Sequence, residues 1–209
     1  VLDILFSNPL LFILIAAALV VSLSFHEFAH AWTATKLGDP TAKSMGRVTM
    51  NPKAHIDITG MLFLLIAGFG WGKPVPFNPN YLKNPKRDAA LISLAGPFSN
   101  FLLALGCGLF LKLVDPQGVL KDFLYLVVFY NLILGFFNLI PLHPLDGFKV
   151  LYGILPPRLA IQWVETQRYG IYVLMLLIFT HSTSRFLSPL VYLSMKTLGL
   201  DPRFLGFLI

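Results

Sequence analysis

Three stretches of this chain, residues 4–25, 89–111 and 123–145, contain no Asp, Glu, Lys or Arg. Each is long enough to cross a hydrocarbon core of roughly 30 Å as a helix, which takes about 20 residues. No other feature limits the fold so severely, because backbone inside a bilayer must satisfy its own hydrogen bonds, and helices or closed barrels are the ways to do so. Composition agrees. Hydrophobic residues make up 56% of the 209 and charged residues 12%, where a soluble globule carries roughly 25% charged residues; mean hydropathy is +0.73. The apolar load excludes disorder. A disulfide-stapled scaffold is excluded because Cys107 is the single cysteine. The expected fold class is an all-α polytopic membrane protein, a single domain over residues 1–209.

The net charge of +6 does not mark a nucleic-acid surface, because the basic residues are neither gathered on one helix nor interleaved with stacking aromatics. They lie between the apolar stretches, where they set topology against an anionic membrane face. The first stretch lacks the basic start of a cleaved signal peptide and continues helically toward Thr35. Shorter runs at 58–72, 169–184 and 186–195 are ambiguous; the last two form further spans if Arg185 sits at a turn or snorkels. Residues 42–50 have the β-branched residues and glycine of a short strand with a turn. The Gly and Pro residues from Gly68 to Pro79 suit no regular spanning helix. Region 36–88 is therefore expected to hold a β-hairpin or re-entrant segment rather than a full span. If it returns to the side it left, Lys36, Lys43, Arg47, Lys53, Lys73, Lys83, Lys86 and Arg87 share one compartment, which the positive-inside rule makes the cytoplasm.

Near the end of the first stretch the sequence reads Phe25-His26-Glu27-Phe28-Ala29-His30. Two histidines four apart share a helical face and can aim both imidazoles at one tetrahedral cation, zinc above all. Glu27 is rotated by about 100° from His26, placed to take a proton from a water that zinc has made more acidic. Chance produces this pattern on soluble amphipathic helices, but ionisable residues within a spanning segment are costly and retained for function. Lys36 is the next basic residue, so at ~1.5 Å per residue the pair sits roughly 15 Å inside the membrane face, and a polar cleft must admit water. A catalytic zinc usually has a third protein ligand. The third stretch ends Asn138-Leu-Ile-Pro141-Leu-His143-Pro144-Leu-Asp146-Gly147, where the prolines forbid regular helix and unwound backbone lines a polar cavity. Asp146 is there either as the third ligand or as the N-cap of a helix over 147–155.

These residues resemble the site-2 protease family of intramembrane zinc metalloproteases, in particular its small bacterial-type members without PDZ or CBS domains. The family's H-E-x-x-H is matched by His26, Glu27 and His30. Its Asn-x-x-Pro…Leu-Asp-Gly motif is matched by Asn138, Pro141 and Asp146, and its Gly-Pro-x-x-Asn motif by Gly96, Pro97 and Asn100. The resemblance implies a three-helix catalytic core with flanking transmembrane helices, one Zn2+ per chain on His26, His30 and Asp146, and Glu27 as the catalytic base. It gives Asn138, and with it Asn100, a substrate or oxyanion contact, although packing beside Gly96 fits Asn100 equally well. It also implies an edge strand near the site, at 43–50 or 74–78, that adds to an unwound substrate. His143 departs from the family, many of whose members carry Pro there. His55 matches a recurring stretch without an assignable chemistry, and His181 is expected in a loop near Arg185.

The expected function is an intramembrane zinc metalloendopeptidase that cuts single-span membrane-protein substrates in or near their transmembrane segments. Its active site would open toward the cytoplasm. A non-catalytic zinc-binding membrane chaperone or regulator is the alternative, and the intact Glu27 argues against it. A metal transporter is disfavoured by the absence of a repeat and of buried acids across several helices.

Overall fold

The computed structural model describes residues 2–67 and 70–202; Gly68 and Phe69, the turn of the expected re-entrant segment, and 203–209 lie outside the described residues. The chain begins with a short helix α1 (Leu2–Ser7) and continues into α2 (Pro9–Lys36). Asn8 caps α2 by accepting the Leu11 N–H at 3.1 Å, with Pro9 in the first turn where its missing N–H costs nothing. The connecting region holds α3 (Thr41–Ser44) and α4 (Ile58–Ala67). The two other long helices are α5 (Pro85–Val114) and α6 (Val119–Asn138). The C-terminal third folds as α7 (Asp146–Ile154), α8 (Pro157–Glu165), α9 (Gln167–Phe179) and α10 (Ser182–Thr197). Three of these helices, α2, α5 and α6, are long and apolar enough to cross a membrane.

These three pack on one another to form the centre of the molecule, with α7 against α5 and α10 against α6. The core between them is built from Ile15 and Ala18 of α2, Ala104 and Leu111 of α5, and Leu126, Val128 and Leu132 of α6, closed by Val191 and Met195 of α10. Small residues let the helices approach, as membrane bundles require in the absence of a hydrophobic drive between apolar helices. Outward faces stay apolar. Phe98, Leu102, Leu105 and Leu109 of α5 are all exposed, a row that suits lipid.

Two expectations need correction. No β-hairpin forms among the described residues: 41–44 is helical, 45–50 is turn, bend and loop, and 73–78 joins no strand ladder. A lone antiparallel bridge joins Ile56 to Gly72. The reason lies in the sequence, since Pro74 and Pro76 have no N–H to offer a ladder. Nor do 169–184 and 186–195 form two spans. Neither α9 nor α10 reaches the required length alone, and the pair is bent by 74° at the Thr180–His181 break, where His181 takes a left-handed φ of 55°.

Within the segment between α2 and α5, the residues on either side of α4 are held together. The Lys73 N–H donates to the His55 carbonyl at 2.8 Å, and Arg47 donates to the Lys73 carbonyl, so both ends of the excursion through α4 are clasped together. At ten residues, α4 is about 15 Å long, half a hydrocarbon core. The extended stretch after the clasp is pinned at its far end by Asp39, which is fully buried. Its carboxylate accepts the Asn78 N–H at 2.6 Å and the Thr41 N–H at 2.9 Å. Charge-assisted bonds of this kind contribute about 1.5–3 kcal/mol each. Asp39→Ala is accordingly expected to lower stability by at least about 2 kcal/mol and to open 73–78 to limited proteolysis, with a thermal melt and a digestion time course in detergent as the checks.

Candidate metal centre and active site

His26 and His30 sit in the last three turns of α2, both buried. Their Nε2 atoms are 3.0 Å apart. Asp146 is not an N-cap, since Leu145 holds that position and makes no capping bond. It opens α7 instead, and its Oδ2 lies 3.1 Å from His26 Nε2 and 3.2 Å from His30 Nε2. The chain reaches this point because α6 ends at Asn138 and residues 139–145 run as irregular backbone past two prolines, with a cis His143–Pro144 bond. Gly147 is required there: a Cβ would collide with the Leu139 and Ile140 carbonyls of the loop that has just delivered Asp146.

Each imidazole is held by its other nitrogen. His30 Nδ1 lies 2.7 Å from the Ile92 carbonyl, and His26 Nδ1 lies 2.6 Å from Asn100 Oδ1. Both acceptors are on α5, so each Nδ1 carries its proton and each Nε2 presents a lone pair. Two nitrogen lone pairs and a carboxylate oxygen then converge within 4.8 Å of one another. Three acceptors facing one another repel unless a cation lies between them. A tetrahedral N,N,O set at zinc distances of about 2.0–2.2 Å has donors roughly 3.3–3.5 Å apart, so the observed separations need to open by only a few tenths of an ångström. The residues fit zinc.

Gly96 makes this geometry possible. A Cβ at that position would strike the His30 and His26 rings, so α5 can lie against both ligands only where it has no side chain. Glu27 is buried beside them, and its Oε2 accepts the Val75 N–H at 3.2 Å. The extended 73–78 stretch thus lies across the carboxylate. Arg47, which holds the start of that stretch, is 4% exposed. Burial pulls its pKa down from the usual guanidinium value, and the Glu27 carboxylate draws it back up, so the two opposite charges share one environment.

Of the sequence candidates, His26, His30, Asp146 and Asn100 are joined here by direct contacts, with Glu27 next to His26 in the chain. The Asn138 amide donates to Leu134 of its own helix at 3.0 Å. Asn100 is fully buried and all its polar atoms are engaged within the protein, with His26, with the Ser22 carbonyl at 3.1 Å and with Asn131 at 2.7 Å. His143 stands apart, its ring edge-on to Phe148 at 5.7 Å, and His55 acts as a clasp, its Nε2 on the Thr49 carbonyl. Asn131, Ser22, Arg47 and the Val75 N–H were missed from the sequence. Asn131 had a usable signal, an amide in the middle of an apolar span.

The sequence profile of peptidase family M50 matches residues 14–116 and 112–181 of the chain. YwhC of Bacillus subtilis, named as a zinc metalloprotease, is 38% identical over 83% of this chain and 83% of its own length. Rip2 of Mycolicibacterium smegmatis, similarly named, is 32% identical over 87% of this chain and 72% of its own. The zinc metalloprotease MJ0392 of Methanocaldococcus jannaschii is 26% identical over 73% of this chain and 37% of its own. No solved structure matches the chain significantly. The steric role of Gly96 gives a direct check: Gly96→Val is expected to weaken zinc binding at least tenfold in a chelator competition, with the helical circular-dichroism spectrum retained.

Proposed function

The chain belongs to peptidase family M50, the site-2 protease family, and we propose that it is an intramembrane zinc endopeptidase acting on peptide bonds in or near the spanning segments of other membrane proteins. Membership makes it a metalloprotease with zinc as its cofactor. The observation that carries the finer reading is the convergence of His26, His30 and Asp146, with Glu27 beside them, between helices long and apolar enough to cross a membrane. A site enclosed by such helices acts on chains that arrive through the same medium.

His26, His30 and Asp146 would hold the ion. When bound, zinc polarises the scissile carbonyl and lowers the pKa of water toward ~7. Glu27 takes the proton from the attacking water and returns it to the leaving amine, a general acid–base role that contributes typically 10²–10⁴-fold. Its carboxylate first gives up the Val75 N–H. Asn100 and the Ile92 carbonyl keep each imidazole turned with Nε2 inward. The site opens toward the cytoplasm: Lys36, Lys43, Lys53, Lys73, Lys83 and Arg87 are exposed from the last residue of α2 to the first turn of α5, beyond the histidines in the chain, where the positive-inside rule places the cytoplasmic face. The substrate is a single-span protein that unwinds locally, because a helix hides its peptide carbonyls.

The test is a gel assay in detergent on a model single-span substrate, with zinc quantified in each sample. Wild type is expected to cleave in a chelator-sensitive manner. Glu27→Gln is expected to retain zinc and lose at least 10²-fold in rate, and Asp146→Ala to lose zinc occupancy. Zinc bound in both wild type and Glu27→Gln, with cleavage by neither across several substrates, would replace this reading with a non-catalytic zinc-binding role.

A further inference from the structure

Behind His26 lies a closed chain of hydrogen bonds that crosses all three long helices. Ser22 of α2 donates its hydroxyl to the Ala18 carbonyl at 2.7 Å. Its oxygen is thereby left as the acceptor for Asn131 Nδ2 of α6, also at 2.7 Å. The same Nδ2 donates to the Val127 carbonyl at 2.8 Å. Asn131 Oδ1 accepts from Asn100 Nδ2 of α5 at 2.7 Å, and that nitrogen also donates to the Ser22 carbonyl at 3.1 Å. Asn100 Oδ1 then faces His26 Nδ1 at 2.6 Å. Ser22, Asn100 and Asn131 are each 0% exposed.

The direction of every bond is forced. Nitrogen and oxygen of an amide are assigned from their partners, and here two partners are backbone carbonyls, which only accept. Turning Asn131 over would set its oxygen against the Val127 carbonyl. Turning Asn100 over would set its oxygen against the Ser22 carbonyl. With both amides fixed, the atom presented to His26 is an acceptor, so Nδ1 must be the donor and Nε2 must carry the lone pair.

We propose that Asn131, with Ser22 behind it, is a positioning residue of the metal centre: acting through Asn100, it fixes the tautomer and ring orientation in which His26 offers Nε2. Its bonds run to Asn100, Ser22 and the Val127 carbonyl, none of them a metal donor. Asn100 is the group bonded to the ligand, where removal changes metal affinity by about 10–100-fold; Asn131 stands one layer behind it, so the lower end of that range is expected. Losing the Asn131 oxygen leaves Asn100 with one donor contact where it had two, free to rock away from His26. Asp at this position keeps an oxygen acceptor for Asn100 Nδ2 at the place of the Asn131 Oδ1.

The inference rests on His26 being a zinc ligand, and the experiment separates the two. Zinc dissociation constants are measured by chelator competition on the full chain in detergent, for wild type, His26→Ala, Asn131→Leu, Asn131→Asp, Ser22→Ala and Val128→Ala. The last removes a fully buried neighbour on α6 outside the chain of bonds and controls for general loosening. Asn131→Leu is expected to weaken zinc about tenfold and Ser22→Ala to weaken it less, with Asn131→Asp recovering most of the loss and Val128→Ala near wild type. Ser22→Ala removes one hydroxyl and remains informative should the Leu variant fail to fold. Unchanged affinity in Asn131→Leu and Ser22→Ala, or an equal loss in Val128→Ala, would overturn the proposal while the metal site stands. Unchanged affinity in His26→Ala would overturn both.

Discussion

A buried polar group must find its partner within the protein, and this molecule meets that demand for two imidazoles beside helices long and apolar enough to cross a membrane. The partners come from one neighbouring helix: a backbone carbonyl of α5 for His30 and a side-chain amide of α5 for His26. Such bonds require close approach, and close approach requires Gly96. The third donor arrives on a different device, a loop that leaves α6 early and carries Asp146 back to the histidines. The three-helix centre is thus as much a hydrogen-bonding enclosure as an apolar core.

The segment between α2 and α5 answers the same demand without a sheet. Its extended stretch is anchored at Asp39, at the Lys73 carbonyl and at Glu27, each anchor pairing one backbone group of the stretch with a side chain from elsewhere. Prolines on both sides of Val75 concentrate the donors of this stretch into few positions. One of them is aimed at the Glu27 carboxylate.

Much of this was legible in the sequence. Uncharged length alone located α2, α5 and α6, and the spacing of His26 and His30 placed them on one face. The prolines before Asp146 announced irregular backbone where it occurs. What stayed hidden depended on partners distant in the chain. Periodicity cannot say that Asn131 meets Ser22, 109 positions away, nor that Asn100 faces inward to a ligand when its motif is equally compatible with contacting substrate. The strand expected at 43–50 failed because β-branched residues favour a pleated surface only where a neighbour offers a ladder, and the nearby extended chain has prolines where donors were needed. The bend between α9 and α10 sits at His181, whose left-handed φ has no distinctive signature in a run of polar residues.

The two histidines differ in what natural variation can do to them. The partner of His30 is a main-chain carbonyl, present whichever amino acid occupies position 92, so drift at that site leaves the bond intact. The partner of His26 is the side chain of Asn100, held in turn by Ser22 and Asn131 on two other helices. A change of side chain at position 92 therefore leaves one ligand's bond in place, while a change at 100 removes the other's and a change at 22 or 131 removes a support behind it.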